Sequence, residues 1–310
     1  MTPRQWAVVV TAAVAAMLEV IDVSICNVAL PHIQSNLGAT LAEVGWVVTG
    51  YAMASVVMIP LSEWLSERFG QRTYFVFSLL GFTAASVLCG LAPSLPWLVA
   101  ARLTQGLLGG GLMPKGQAIM FQVVPKALQG MAQGVFGIGV LVGPVLGPTL
   151  GGFLTDGPGW RWIFFINVPF GLLTVLMALA FMPPDPDPAW ADAAGQPLRA
   201  SRAVDWTGIL LLVAGLASLQ VVLEQGRQYD WFASAWIRQL SLLCAIAVPT
   251  FVWWEWRSPH PAVDLRVLRH RSLAAGSIFS MVLGMGLYGT VFVVPIFAQS
   301  VLHYTATQTG

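Results

Sequence analysis

The sequence predicts an all-α polytopic membrane protein of about nine transmembrane helices, and three observations carry that prediction. Hydrophobic residues make up 56% of the 310 positions and Asp, Glu, Lys and Arg only 9%, against about 25% charged in soluble domains. The mean hydropathy is +0.73. The apolar residues also come in runs long enough to cross a hydrocarbon core, which takes about 20 residues of helix. A soluble protein of this size could not cover its surface with so few charges, and disorder is excluded for the same reason. The strands of a membrane barrel would alternate polar and apolar at period two, and these runs do not. With a net charge of +1, no global field recruits nucleic acid.

In chain order the runs are 6–30, 44–63, 72–92, 97–122, 128–154, 161–182, 206–224, 234–255 and 272–300. Ala13-Val14-Ala15 resembles a signal-peptide cleavage site, but the first run continues well past it to Pro31 and reads as a span. Pro114, Pro144, Pro148 and Pro295 lie inside runs; in a membrane bundle they predict kinks rather than helix ends. With the N-terminus in the cytoplasm, Arg4, Arg68, Arg72, Lys115, Lys126, Arg199, Arg202, Arg257, Arg266, Arg269 and Arg271 fall on the cytoplasmic side. Only Arg161, Arg227 and Arg238 face outward, the bias expected of that orientation. The organisation that follows is a six-helix bundle over 1–182 and a Pro- and Asp-rich cytoplasmic linker over 183–205. A transmembrane hairpin over 206–256 comes next, and 257–310 opens a second bundle.

A few residues are too costly in lipid to be incidental. Glu19 and Asp22, three apart in the first run, share one side of the helix. Intramembrane carboxylates face a cavity or a partner, and the functional reading is a proton site; the plainer one is a hydrogen-bonded packing pair. Arg102 is the one basic residue inside a run and away from its ends. By helical rise it lies about 8 Å in from Trp97, and Asp22 about 14 Å in from the same side, so the two can meet. An Arg that approaches and leaves an acid couples proton binding to movement; a fixed salt bridge, or an Arg snorkelling to the surface, are the alternatives. The fifth run carries Gly137, Gly139, Gly143, Pro144, Gly147, Pro148, Gly151 and Gly152. Small residues at this spacing permit close helix packing, and the prolines bend the helix into a candidate gate. The charged loop 61–73, LSEWLSERFGQRT, is either topogenic or a clamp between helices. Cys26, Cys89 and Cys244 sit in apolar runs, and neither they nor the four His have metal-site spacing. Trp160, Trp162, Trp231, Trp236, Trp253, Trp254 and Trp256 lie near run ends, as interfacial anchors do.

Taken in order, these segments resemble the major facilitator superfamily, and within it the fourteen-helix drug:proton antiporters of the EmrB/QacA type. Ile21-Asp22-Val23-Ser24-Ile25-Cys26-Asn27-Val28-Ala29-Leu30-Pro31 is similar to the first-helix pattern LDxTxVNVALP. Leu65, Ser66, Glu67, Arg68, Gly70 and Arg72 resemble the second part of the loop motif GxLaDRxGrk, with Glu63 where that motif begins with Gly and Gln71 in place of a basic residue. Arg102-Leu-Thr-Gln105-Gly106 matches RxxQG, residues 143–152 resemble the antiporter motif of the fifth helix, and WRWIFFINVPFG at 160–171 resembles the opening of the sixth.

The resemblance implies proton-driven export of hydrophobic, often cationic, compounds across the inner membrane. Asp22 is then linked to proton coupling with Arg102, and the fifth-helix motif to the direction of antiport. No cofactor is implied beyond the proton gradient. The partners are the lipid bilayer and the small-molecule substrate, with a periplasmic adaptor and an outer-membrane channel in EmrB-like members. Glu19 joins the proton-coupling set on burial alone. Asn27, Gln105 and Asn167, amides within these motifs, are assigned to the substrate cavity, and Glu67, Arg68, Gly70, Arg72, Gly143, Pro144, Gly147, Pro148, Gly151 and Gly152 to gating. TATQTG at 305–310 resembles the start of the tenth helix, so the family pattern expects four or five further helices and the sequence reads as an N-terminal portion. Export of one endogenous metabolite, or a truncated regulatory subunit that transports nothing, are the other readings. An enzyme is not expected: there is no HExxH, no GxSxG and no pair of catalytic Asp in separate runs.

Overall fold

The computed structural model describes residues 1–185, 205–259 and 261–300. Among them every regular element is a helix: α1 (Pro3–Leu37), α2 (Leu41–Phe69), α3 (Gln71–Gly90), α4 (Leu95–Gly109), α5 (Leu112–Val123), α6 (Gln129–Asp156), α7 (Trp162–Phe165), α8 (Asn167–Phe181), α9 (Trp206–Gln225), α10 (Ala235–Arg257) and α11 (Arg271–Ser300). Local chemistry sets the ends. Thr2 and Gln5 form a capping box with Pro3 in the first turn of α1, and Thr40 and Glu43 form one on α2, each satisfying amides that the helix itself leaves free. Gly38 stops α1 at φ +63°, a left-handed conformation that costs glycine little. Pro31 and Pro60 ride inside α1 and α2, so α1 runs past the expected end at residue 30.

Seven stretches among the described residues are long and apolar enough to cross a membrane, by length and composition. The main departure from the expected runs is the fourth, which is two helices, α4 of 15 and α5 of 12 residues. The cause is local. Pro114 has no amide hydrogen, and its ring excludes the carbonyl four residues back, which is Gly110. The chain therefore turns at Gly110–Gly111 and restarts with Leu112. The kink expected at Pro114 falls at Gly110 and Gly111, which interrupt the helix while keeping right-handed dihedrals, whereas Pro144 and Pro148 stay inside a continuous α6. The 183–205 linker is described only at residues 183–185 and at Asp205, and TATQTG lies outside the described residues.

Helix α1 is the hub. It packs most extensively on α6 and also on α5 and α8, while α3 bridges α4 and α8 and α2 lies along α4. The hairpin α9–α10 docks on the bundle through α9 against α2. Near one end Gln225 Nε2 donates to Thr49 Oγ1 at 3.2 Å; near the other the Trp64 and Trp206 rings lie 6.4 Å apart.

Candidate functional site

Asp22 and Arg102 meet in the middle of the bundle. Asp22 is 2% exposed and Arg102 fully buried. Arg102 Nη1 donates to Asp22 Oδ2 at 2.5 Å and to Gln105 Oε1 at 2.8 Å, and Arg102 Nε donates to the Val47 carbonyl at 3.1 Å. The other carboxylate oxygen, Asp22 Oδ1, accepts from Gln105 Nε2 at 3.1 Å and from Asn167 Nδ2 at 2.7 Å. Asn167 Nδ2 also donates to Ser86 Oγ at 3.0 Å, and Ser86 donates to the Phe164 carbonyl at 2.9 Å. Above the guanidinium sits the Tyr51 ring, 4.1 Å from Cζ to its centroid. Helices α1, α2, α3, α4 and α8 thus each give the site a side chain or a carbonyl. These bonds offset much of the cost of burying the pair, although Arg102 Nη2 and Asn167 Oδ1 are buried without a hydrogen-bond partner.

Sequence position put Gln105 and Asn167 in the substrate cavity. Here both are fully enclosed and bound to Asp22, while Asn27, one turn further along α1, is exposed. Cys26 and Cys89 are buried free thiols beside the pair, and Cys89 Sγ lies 3.6 Å from Gln105 Oε1.

Glu19 parts company with Asp22. It is half-buried, and its Oε2 accepts the Met113 backbone amide at 3.1 Å. Met113 is the second residue of α5, where the Pro114 break leaves amides without an intrahelical partner, and a carboxylate suits that end of the helix. Lys115, assigned to the cytoplasmic side, is 1% exposed and paired with Glu63 of α2. The acid standing where the loop motif has Gly is therefore the partner of a buried lysine.

The loop between α2 and α3 holds a feature the sequence reading missed. The N-cap of α3 is Gly70, which has no side chain to cap with. Asp185, just beyond α8, does it instead: Oδ1 accepts the Arg72 amide and Oδ2 the Thr73 amide, both at 2.9 Å, and Thr73 Oγ1 donates to Oδ2 at 2.7 Å. In return the Arg72 guanidinium bonds the Leu179 carbonyl at the end of α8, and Arg4 bonds that of Phe181 at 3.1 Å. Each helix end thus meets the charge its dipole favours. Gly70 is required twice, because its φ is +97° and a Cβ would lie 2.3 Å from the Asp185 carboxyl carbon. Glu67 and Arg68 are exposed. Asp185→Ala is expected to destabilise the protein by about 1 kcal/mol, as loss of an N-cap does. Amide exchange at Arg72 and Thr73 should quicken ahead of the rest of α3, and unchanged exchange there would refute the capping role.

The gate candidates of α6 divide by face. A Cβ on Gly139 would lie 2.7 Å from the Ala13 carbonyl, on Gly143 2.6 Å from Val20 Cγ1, on Gly147 2.2 Å from Ser24 Oγ and on Gly151 3.2 Å from the Ile25 carbonyl. These four form the seam against α1. Gly137 and Gly152 have nothing within 4 Å. Pro144 is buried beside Gly143, and Pro148 is half-buried. Away from the ion pair, about 20 Å along α2 from Val47 by helical rise, a cavity of about 420 Å³ opens between α2, α9 and the turn after α10. Glu63, Glu67, Asp205, Asp264 and Arg266 line it among apolar side chains.

A multi-pass helical bundle with a hydrogen-bonded ion pair inside it fits a membrane transporter, since charges within spans mark substrate and ion pathways. Residues 12–310 match the family described as the Major Facilitator Superfamily, and the chain belongs to it. It is 36% identical to the multidrug export protein EmrB of Escherichia coli K12 over 297 residues, covering 96% of this chain and 56% of that one. It is 34% identical to the fatty acid resistance protein FarB of Neisseria gonorrhoeae, with the same coverage. The chain thus spans little more than half the length of these relatives. Among solved structures, the peptide transporter POT in complex with sulfate matches at TM-score 0.56 and 15% identity over 81% of this chain and 52% of that one. The human organic anion transporter TETRAN matches at 0.54 and 15% over 81% and 71%. Those likenesses are of fold.

Proposed function

We propose that the protein carrying this sequence exports hydrophobic, often cationic, compounds across the inner membrane in exchange for protons, with its N-terminus in the cytoplasm. The observation that carries the reading is the sealed Asp22–Arg102 pair, an acid whose charge is held by one cation and two amides. A proton reaching Asp22 from outside removes the charge that holds Arg102, and α4 is then free to shift against α1. Return of Arg102 to the carboxylate expels the proton on the cytoplasmic side. The Gly-lined seam between α6 and α1 and the clasp at Gly70, Arg72 and Asp185 are the places where such a shift would be guided. Rocking of bundles about a midplane site is the general scheme for such folds. The names of the relatives, multidrug export and fatty acid resistance, support export as the direction and hydrophobic compounds as the cargo. A periplasmic adaptor and an outer-membrane channel belong to the same reading.

The test is Asp22→Asn in the complete reading frame, assayed in inverted membrane vesicles. Adding substrate to vesicles carrying the unaltered protein should dissipate an imposed proton gradient. The variant should show no dissipation above that of empty vesicles, since an amide carries no exchangeable charge. A variant that still moves protons with substrate would remove Asp22 from the mechanism.

A further inference from the structure

The two acids of α1 stand three residues apart in opposite circumstances. Both oxygens of Asp22 are taken, by Arg102, Gln105 and Asn167, and with 2% exposure it has no surface to offer a ligand. Glu19 is half-buried, and the one hydrogen bond described for it comes from a neutral donor, the Met113 amide. The ion pairs among the described residues join Arg102 to Asp22, Lys115 to Glu63 and His32 to Asp156; Glu19 is in none of them. The nearest basic side chain of α5, Lys115, is already engaged by Glu63. Glu19 is therefore an acid within a membrane-spanning helix that has another acid one turn away and no cation of its own. Intramembrane acids of this kind mark substrate and ion pathways.

The surroundings say what kind. Residues 19, 23, 27 and 31 recur every four along α1 and so share a face. Going up that face, Glu19 and Val23 are half-buried and Asn27 and Pro31 exposed, whereas Asp22, Cys26, Ala29 and Ile33 are buried. The strip runs acid, apolar, amide over about 12 Å from Glu19 to Asn27 by helical rise, the length of a drug-sized molecule. A hard metal ion would need six or more oxygens. No group of three potential metal ligands occurs among the described residues, and Val23 beside the acid suits a carbon skeleton.

We propose that Glu19 recognises the positive charge of a transported organic cation, with Val23 and Asn27 contacting its body, and that Asp22 never touches substrate. This rests on the export reading above and divides its labour: one acid selects the cargo and the other takes the proton. The experiment uses the complete reading frame in cells lacking their own efflux pumps. The probes are ethidium, a permanent cation, and Nile red, a neutral dye of similar size. Glu19→Gln is expected to raise the KM for ethidium efflux roughly tenfold, the loss of a charge-assisted contact, and to leave Nile red efflux within about twofold. Glu19→Asp should recover part of the ethidium affinity. Asn27→Ala, at an exposed position that folding does not depend on, should weaken ethidium in the same selective way by a smaller factor. Equal loss of both dyes in Glu19→Gln, with Asn27→Ala silent, would overturn the assignment and leave export standing. If the unaltered protein exported neither dye, the export reading and this proposal would fall together.

Discussion

Arg102→Ala is expected to be among the most damaging single substitutions in the chain, and the damage should be largely reversible by a second one. Removing the guanidinium strands the Asp22 carboxylate at 2% exposure with only Gln105 and Asn167 to serve it. Breaking one side of a buried pair costs about 3–5 kcal/mol. Replacing both partners by apolar groups of similar size removes the stranded charge, so Arg102→Met with Asp22→Leu should regain most of that loss. The measurement is thermal unfolding in detergent for Arg102→Met, Asp22→Leu and the double, read as a cycle with Arg102→Ala alongside. Transport should be lost in every one of them. A double variant no more stable than Arg102→Ala would mean that the pair is not the unit described here.

Much of this site was legible before any coordinates, and the reasons are specific. Helical rise from two run ends placed Asp22 and Arg102 at matching depth, and they do meet. Depth is recoverable from sequence because a span has a fixed length and a fixed pitch. Azimuth is not. Glu19 and Asp22 sit about 60° apart around α1, and which of them turns inward depends on where α4 and α8 lie, which spacing does not contain. The break at Gly110–Gly111 was hidden because hydropathy runs through it without a dip; Pro114 after three glycines was the available signal. Asp185 was missed because a Pro-Asp linker reads as solvent-exposed chain, and nothing local says that one of its carboxylates completes the cap of a helix more than a hundred residues away. The amides were assigned to a cavity as members of the motifs that carry the resemblance. The structure shows Gln105 and Asn167 bonded to Asp22.

Gly106 lies one turn from Arg102 on α4, and its replacement should couple packing to function. A Cβ there would lie 2.5 Å from the Tyr51 carbonyl oxygen and 2.9 Å from Ala54 Cβ, and four residues on, one at Gly110 would lie 2.5 Å from Ser55 Cα. These are mostly backbone contacts, so no rotamer relieves them; α2 and α4 must separate. Overpacking of this kind costs about 1–3 kcal/mol, more than the ~1 kcal/mol by which Ala favours a helix over Gly. The same shift would draw Arg102 Nε from the Val47 carbonyl and Nη1 from Asp22, bonds now 3.1 and 2.5 Å long. Gly106→Ala should therefore lower both thermal stability and transport, and Gly106→Leu should abolish them. Gly152→Ala is the control, since nothing lies within 4 Å of its Cβ position. It should keep full transport and change stability by no more than the helix-propensity gain. Close packing is the cause only if the two glycines differ. A Gly152→Ala as harmful as Gly106→Ala would point instead to helix flexibility, which any alanine reduces, as the property these glycines supply.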